Sequence, residues 1–323
     1  MQLIESLKTK VRNQKPTIVF PEGSDSRVLK AAIRLHEDKD IKPIVLGNKQ
    51  EIKKLADKEK VDLKDLEIID PEGYEEFDAM VDAFVKRRAG KATVEDAKKV
   101  LRQPNYFGTM YVYMDKADGM VSGAIHTTGE TVRPALQIIK TKAGVKRVSG
   151  AFIMLKEDEK LLMADCAINT DLDAEGLAEL AVVSEKTARQ FNIDPRVAML
   201  SFSTKGSAKH DRVDMVVTAT EKAKKLNPDM LIDGEMQFDA AYVESVGAKK
   251  APDSPIKGDA NVFIFPNLEA GNIGYKIAQR LGGYEAVGPI LQGLNKPVND
   301  LSRGTSEDEV YALAIITAAQ AVL

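Results

Sequence analysis

The sequence predicts an α/β protein with largely parallel sheets, and three observations carry that expectation. Short runs rich in Val, Ile and Leu recur along the 323 residues. Several are apolar without alternation, as strands covered on both faces are. Helical stretches follow the runs, and alternation of strand and helix implies α/β architecture. At ordinary domain sizes the length predicts two domains or one large one.

The first run, TIVFPEG (17–23), leads into a helical stretch, SRVLKAAIRLHED (26–38). KPIVLG (42–47), LEIID (66–70), ADGMVSG (117–123), SGAFIML (149–155) and LLMADCAI (161–168) follow. VAMLSFST (197–204) precedes the helical VDMVVTATEKAKKL (213–226). MLIDGEMQ (230–237), NVFIFPN (261–267) and GPILQG (288–293) complete the strands, and EDEVYALAIITAAQAVL (307–323) reads as a final helix. TKAGVKRVSG (141–150) and GLNKPVND (293–300) read as two crossings between lobes, which would return the last helix to the first lobe. The boundaries expected are 1–145 plus 294–323 for one α/β lobe and 146–293 for the other.

Ligands of such sheets bind beyond the carboxyl ends of the strands. Here those ends carry PEGSDSR, SGAIHTTGE, SFSTKGSAKHD, DGEMQ and PNLEAGNIG. Any one of them is an ordinary turn. Five in one chain point to an extended anionic ligand.

Composition removes several classes of function. Apolar residues make up 44% and charged residues 29%, as in ordinary folded proteins, and the net charge of −3 argues against nucleic-acid binding. No apolar run approaches the roughly 18 residues that span a bilayer, and the charged, amphipathic start lacks a signal peptide's apolar core. With the single Cys166 there is no intrachain disulfide, so a cytoplasmic protein is expected. His36, His126 and His210 are scattered, without metal-ligand spacing, and no metal site is expected. G-x-S-x-G, G-x-G-x-x-G and the phosphate-loop pattern G-x-x-x-x-G-K-[ST] are absent.

The sharpest local pattern is PVNDLSRGTSEDEV (297–310). Thr305 or Ser306 suits a helix cap, and Glu307, Asp308 and Glu309 suit the positive end of that helix. Capping leaves Ser302, Arg303 and Gly304, just behind Asp300, without a purpose. A hydroxyl, a guanidinium and free amides together suit a phosphate or an oxyanion. SGAIHTTGETVRPALQIIK (122–140) brings His126, Thr127 and Thr128 to a strand–helix junction, with Arg133 a turn later and Pro134 expected in the first helical turn. In PNLEAGNIGYKIAQRLGG (266–283), Gly271 and Gly274 would allow close approach of a ligand, with Arg280 on the following helix.

Together with LIDGEMQFDAAYV (231–243), these stretches resemble the phosphate acetyltransferases, nearly end to end, and most closely their short, single-catalytic-unit bacterial form. The resemblance implies two three-layer α/β/α lobes of the isocitrate/isopropylmalate dehydrogenase type, with the active site in the cleft between them. It implies a homodimer that reversibly converts acetyl-CoA and phosphate to acetyl phosphate and CoA, with no metal or cofactor, CoA being a substrate. The family's catalytic serine and arginine fall on Ser302 and Arg303, and its CoA- and phosphate-site arginines on Arg87, Arg133 and Arg280. The family's aspartate seven residues after the serine is replaced by Glu309, with Asp308 beside it. Either carboxylate would serve as base, and helical geometry turns them about 100° apart.

In the implied reaction the base takes the CoA thiol proton, the thiolate attacks the acetyl carbonyl, Ser302 donates to the developing oxyanion and Arg303 holds the phosphate. The nearest alternative is a phosphate butyryltransferase. A metal-dependent oxidative decarboxylase and a non-catalytic anion-binding module are the readings from other classes.

Overall fold

The computed structural model describes residues 2–322. Its strands, in chain order, are β1 (Thr17–Phe20), β2 (Lys42–Leu46), β3 (Glu67–Ile69), β4 (Gly119–Ser122), β5 (Ser149–Lys156), β6 (Glu159–Ala164), β7 (Val197–Leu200), β8 (Ile232–Met236), β9 (Val262–Ile264), β10 (Glu285–Gln292) and β11 (Val298–Asp300). They form two sheets, one in each of two compact units. The first unit runs to Ala143 and resumes at Leu294; the second spans Gly144–Gly293.

In the first unit the order is β11-β4-β1-β2-β3, and every neighbouring pair is parallel. The helix Ser26–Asp38 joins β1 to β2. Asp25 caps it by accepting from the amides of Arg27 and Val28, and Lys39 ends it in the left-handed conformation. Its Val28, Leu29, Ala32 and Leu35 are buried. The C-terminal helix Glu307–Val322 packs against it and against the first helix, Gln2–Val11. A Cβ on Gly119 would meet Thr317 of that terminal helix, whereas Gly108 of the helix Pro104–Tyr113 faces the sulfur of Met120. Adjacent strand residues point to opposite faces, so the two helices cover opposite sides of the sheet.

The second sheet has the order β10-β5-β6-β9-β7-β8. The pairs β6–β9, β9–β7 and β7–β8 are parallel, while β10–β5 and β5–β6 are antiparallel. The helical stretch expected after SGAFIML is therefore a hairpin instead. Only Glu157 and Asp158 separate β5 from β6, far fewer than the dozen or so residues a parallel crossover needs. Both faces of this sheet are buried. Leu162 and Ala164 of β6 join Val262 and Ile264 of β9 in one apolar cluster, while Leu161, Met163 and Phe263 pack into a second. Double burial is the cause of the unbroken apolar runs.

Candidate functional site

β11, β4 and β1 are neighbours and run the same way, so the loops leaving their carboxyl ends emerge side by side. Glu22, two residues beyond β1, is buried. Its carboxylate accepts from the amides of Gly123 (3.0 Å), Ala124 (2.8 Å), Ile125 (2.9 Å) and His126 (2.8 Å), and pairs with His126 Nδ1 at 2.8 Å. Burial works to raise the Glu22 carboxyl, but the hydrogen bonds from the His126 ring and the backbone outweigh it and hold it low. The same contact raises His126. The loop is an anion nest, as its composition suggested, and the protein's own carboxylate fills it.

Thr127 caps the helix Thr128–Ile138. It accepts from the Glu130 amide while Glu130 accepts from its own amide at 2.8 Å, a reciprocal capping box. Pro134 consequently lies inside the helix, not in its first turn as expected, because this box starts the helix well upstream of it. Thr128 Oγ1 donates to Asp300 Oδ2 at 2.7 Å. His126, Thr127 and Thr128 are thus all engaged within the chain. Arg133 on this helix is exposed and makes no side-chain hydrogen bond or ion pair among the described residues. Arg87 lies at the helix's other end: its guanidinium donates to the carbonyls of Ile138 (2.6 Å) and Ile139 (3.0 Å) and lies over the Tyr113 ring. That is a clamp on a helix C-terminus.

Gly123 belongs at this junction for a steric reason. Its φ is +115°, and a Cβ there would lie 2.4 Å from Asp300 Oδ1. Asp300 itself is buried. Desolvation pushes its carboxyl up to about 6, against the opposing hydrogen bond from Thr128, with nearby Glu22 adding to the rise. The folded state therefore holds this proton more tightly than the unfolded chain does, so the contribution to stability is full below about pH 4 and is lost as pH rises through about 6. Asp300→Asn cannot ionise. It is expected to raise the unfolding free energy at pH 7, relative to its effect at pH 4, by on the order of 3 kcal/mol, the worth of about two pKa units. Urea unfolding across that range checks it; the same change at every pH would refute it.

Beyond Asp300 the chain makes a tight turn. The Thr305 amide donates to the Ser302 carbonyl at 2.9 Å, and the Gly304 amide to Ser302 Oγ at 3.3 Å. Ser302 accepts in that contact, which leaves its own hydroxyl proton to donate. Ser302 and Arg303 are exposed, and the Arg303 guanidinium makes no hydrogen bond or ion pair among the described residues. The turn's backbone is held from beneath by Arg27, whose Nη1 donates to the carbonyls of Arg303 (2.8 Å) and Thr305 (3.0 Å).

Ser306, rather than Thr305, caps the last helix. The Ser306 amide donates to Glu309 Oε2 at 2.8 Å and the Glu309 amide to Ser306 Oγ at 3.2 Å. The neighbouring acids point elsewhere: Asp308 and Glu307 pair with Arg34 at 2.6 and 3.0 Å. Glu309 therefore stays beside the turn, whereas Asp308 is tied to the helix Ser26–Asp38.

In the second unit, Gly271 and Gly274 are packing positions. A Cβ on Gly271 would lie 2.1 Å from the Asp165 carbonyl, and one on Gly274 would lie 3.0 Å from the Phe265 ring. Packing within the chain by itself accounts for glycine at both positions. Arg280 is exposed at the end of the helix Leu268–Arg280, with no side-chain hydrogen bond among the described residues. Two more loop-enclosed carboxylates lie in this unit. Asp165 accepts from the amides of Gly150, Ala167, Ile168 and Asn169. Glu235 accepts from Ser203 Oγ (2.8 Å) and the Gly206 amide (2.7 Å). Cys166 is fully buried, and desolvation raises its thiol far from the reactive range.

Sequence reasoning missed Glu22, Arg27 and the raised carboxyl of Asp300. For Glu22 and Arg27 the available signal was two acids and an arginine within PEGSDSR, directly after the first strand.

The carboxyl edge of this parallel sheet presents a hydroxyl free to donate, an unpaired guanidinium and, at the start of the next helix, a carboxylate, side chains whose chemistry suits an oxyanion such as phosphate. The chain belongs to the phosphate acetyl/butaryl transferase family, whose pattern matches residues 2–318. It is 62% identical to a phosphate acetyltransferase of Staphylococcus epidermidis over 99% of both chains. It is 59% identical to the phosphate acetyltransferase of Bacillus subtilis, again over 99% of each. The structure of a phosphotransacetylase from Streptococcus pyogenes is similar with a TM-score of 0.96 and 58% identity, covering 99% of this chain and 98% of that one.

Proposed function

We propose that this protein transfers an acetyl group reversibly between coenzyme A and inorganic phosphate. The observation that carries the reading is the full-length identity, near 60%, to phosphate acetyltransferases. Nothing of comparable strength favours a butyryl substrate.

In the direction that forms acetyl-CoA, Glu309 takes the thiol proton of CoA. The thiolate attacks the acetyl carbonyl carbon of acetyl phosphate, forming the C–S bond, and Ser302 donates to the oxygen that gains charge. The C–O bond to phosphate then breaks, the leaving oxygen takes up the proton held by Glu309, and Arg303 holds the departing dianion. No acyl-enzyme is needed, and the burial of Cys166 supports direct transfer. Arg133 and Arg280 are unpaired cations suited to the phosphates of CoA. Arg87 acts through the helix it clamps as well as through any charge it presents. The reaction uses no resident metal or cofactor.

We place the protein in the cytoplasm; among the described residues no helix is long and apolar enough to cross a membrane. We propose a homodimer. Ile273, Ile277 and Leu281 recur every four residues along one exposed face of the second unit, and Phe202 and Phe238 line a neighbouring groove with Ala270. Single exposed apolar residues are ordinary, but a stripe of them marks an interface. A monomer in sedimentation equilibrium would remove that part.

Loss of thioester absorbance on mixing protein, acetyl-CoA and phosphate, undiminished by EDTA, is the expected result. Butyryl-CoA is expected to turn over more slowly. Binding without turnover would sink the enzymatic reading, and equal rates with butyryl-CoA the acetyl assignment.

A further inference from the structure

We infer that Arg27 is a positioning residue for Ser302 and Arg303. The inference rests on the acetyl-transfer reading above and concerns how its turn is held. An arginine side chain has five N–H donors in a fixed plane. All five of Arg27's are engaged within the first unit. Nε donates to Asp25 Oδ1 at 3.0 Å and one Nη2 hydrogen to Asp25 Oδ2 at 2.7 Å. The other Nη2 hydrogen reaches the Ala124 carbonyl at 2.9 Å, and Nη1 reaches the carbonyls of Arg303 and Thr305 at 2.8 and 3.0 Å.

Three loops therefore meet on one guanidinium: the cap of the helix Ser26–Asp38, the nest around Glu22, and the Ser302–Thr305 turn. No donor is left for a substrate, and Asp25 offsets the charge. Arg27 acts through geometry. The two carbonyls it holds bracket Gly304, so they fix the backbone on both sides of the turn's most pliable residue. Asp25 sets the plane of the fork, and the Ala124 carbonyl is itself steadied because the Ala124 amide is bound to Glu22. The Arg303 side chain can stay unpaired and directed only because its own carbonyl is fixed.

A lysine in place of Arg27 has a single point of donation and cannot span Asp25, Ala124 and both turn carbonyls. In the full-length protein, Arg27→Lys is expected to lower kcat by on the order of 100-fold, the typical cost of a small misplacement at a reacting centre, with KM for CoA changing less than about threefold. Amide hydrogen exchange is expected to rise in residues 301–306 and to stay unchanged in the second unit. Should Arg27→Lys not fold, Asp25→Asn serves. Asparagine keeps the helix cap but removes the charged fork that orients Arg27, and a smaller loss of kcat with the same local rise in exchange is expected. An unchanged kcat in the variant that folds overturns the inference. So does a lost kcat with unchanged exchange at 301–306. Absence of acetyl transfer in the unsubstituted protein overturns the functional reading instead.

Discussion

Arg303→Lys is expected to fold normally and to lose acetyl transfer by roughly two to three orders of magnitude in kcat/KM for phosphate, the range seen when one preorganised donor to developing charge is removed. Stability is spared because the side chain is exposed and carries no internal contact, and surface changes of this kind usually stay within about 0.5 kcal/mol. Activity falls because a phosphate leaving the acetyl carbon presents two oxygens in a plane that a guanidinium matches and an ammonium does not. The positive charge is kept, so the substitution separates geometry from electrostatic attraction. Steady-state kinetics with varied phosphate, beside a thermal melt, measures both. Turnover within about threefold of the unsubstituted protein would remove Arg303 from the phosphate site.

Glu309→Gln should lose about 100- to 10,000-fold in kcat, the range a general base contributes, with an unchanged melt. The structure makes this substitution unusually clean. Glu309 is the third residue of a capping box with Ser306, and glutamine serves that box as well as glutamate does. The helix start survives while the proton acceptor disappears. Asp308→Asn is the matched control. It breaks an exposed ion pair with Arg34, and such pairs contribute little. If Asp308→Asn proves the inactive variant and Glu309→Gln the active one, the base is Asp308. If both are active, neither carboxylate takes the thiol proton.

Much of this was legible in the sequence, and what escaped did so for physical reasons. Double burial leaves an unbroken apolar signature, and strands such as Val197–Leu200 and Val262–Ile264 lie where those runs predict. β11 escaped because it has three residues, two of them polar. Its Asn299 and Asp300 are buried all the same, since β4 beside it supplies the ladder. The hairpin of β5 and β6 escaped because apolar runs do not declare direction, and the two-residue gap between the strands shows as five polar residues between the runs. The polar loops showed amide nests, but sequence does not say whether a nest waits for a ligand or closes on the chain's own acid. Glu22 meets His126 across a gap of 104 residues, and Arg27 meets Arg303 across 276. Local patterns carry no trace of such pairings. Ser302 and Arg303 were found because capping explained their neighbours and not them.

The placement of β11 has a temporal consequence. The first sheet has four of its strands early in synthesis, yet β4 keeps a bare edge until β11 arrives. The whole second unit is translated in between. A nascent chain can thus finish the later unit before the earlier one. A product ending at Gly293 would hold one complete sheet and one open one, with none of Ser302, Arg303 or Glu309. All three side chains proposed for the chemistry come from chain translated after the whole second unit.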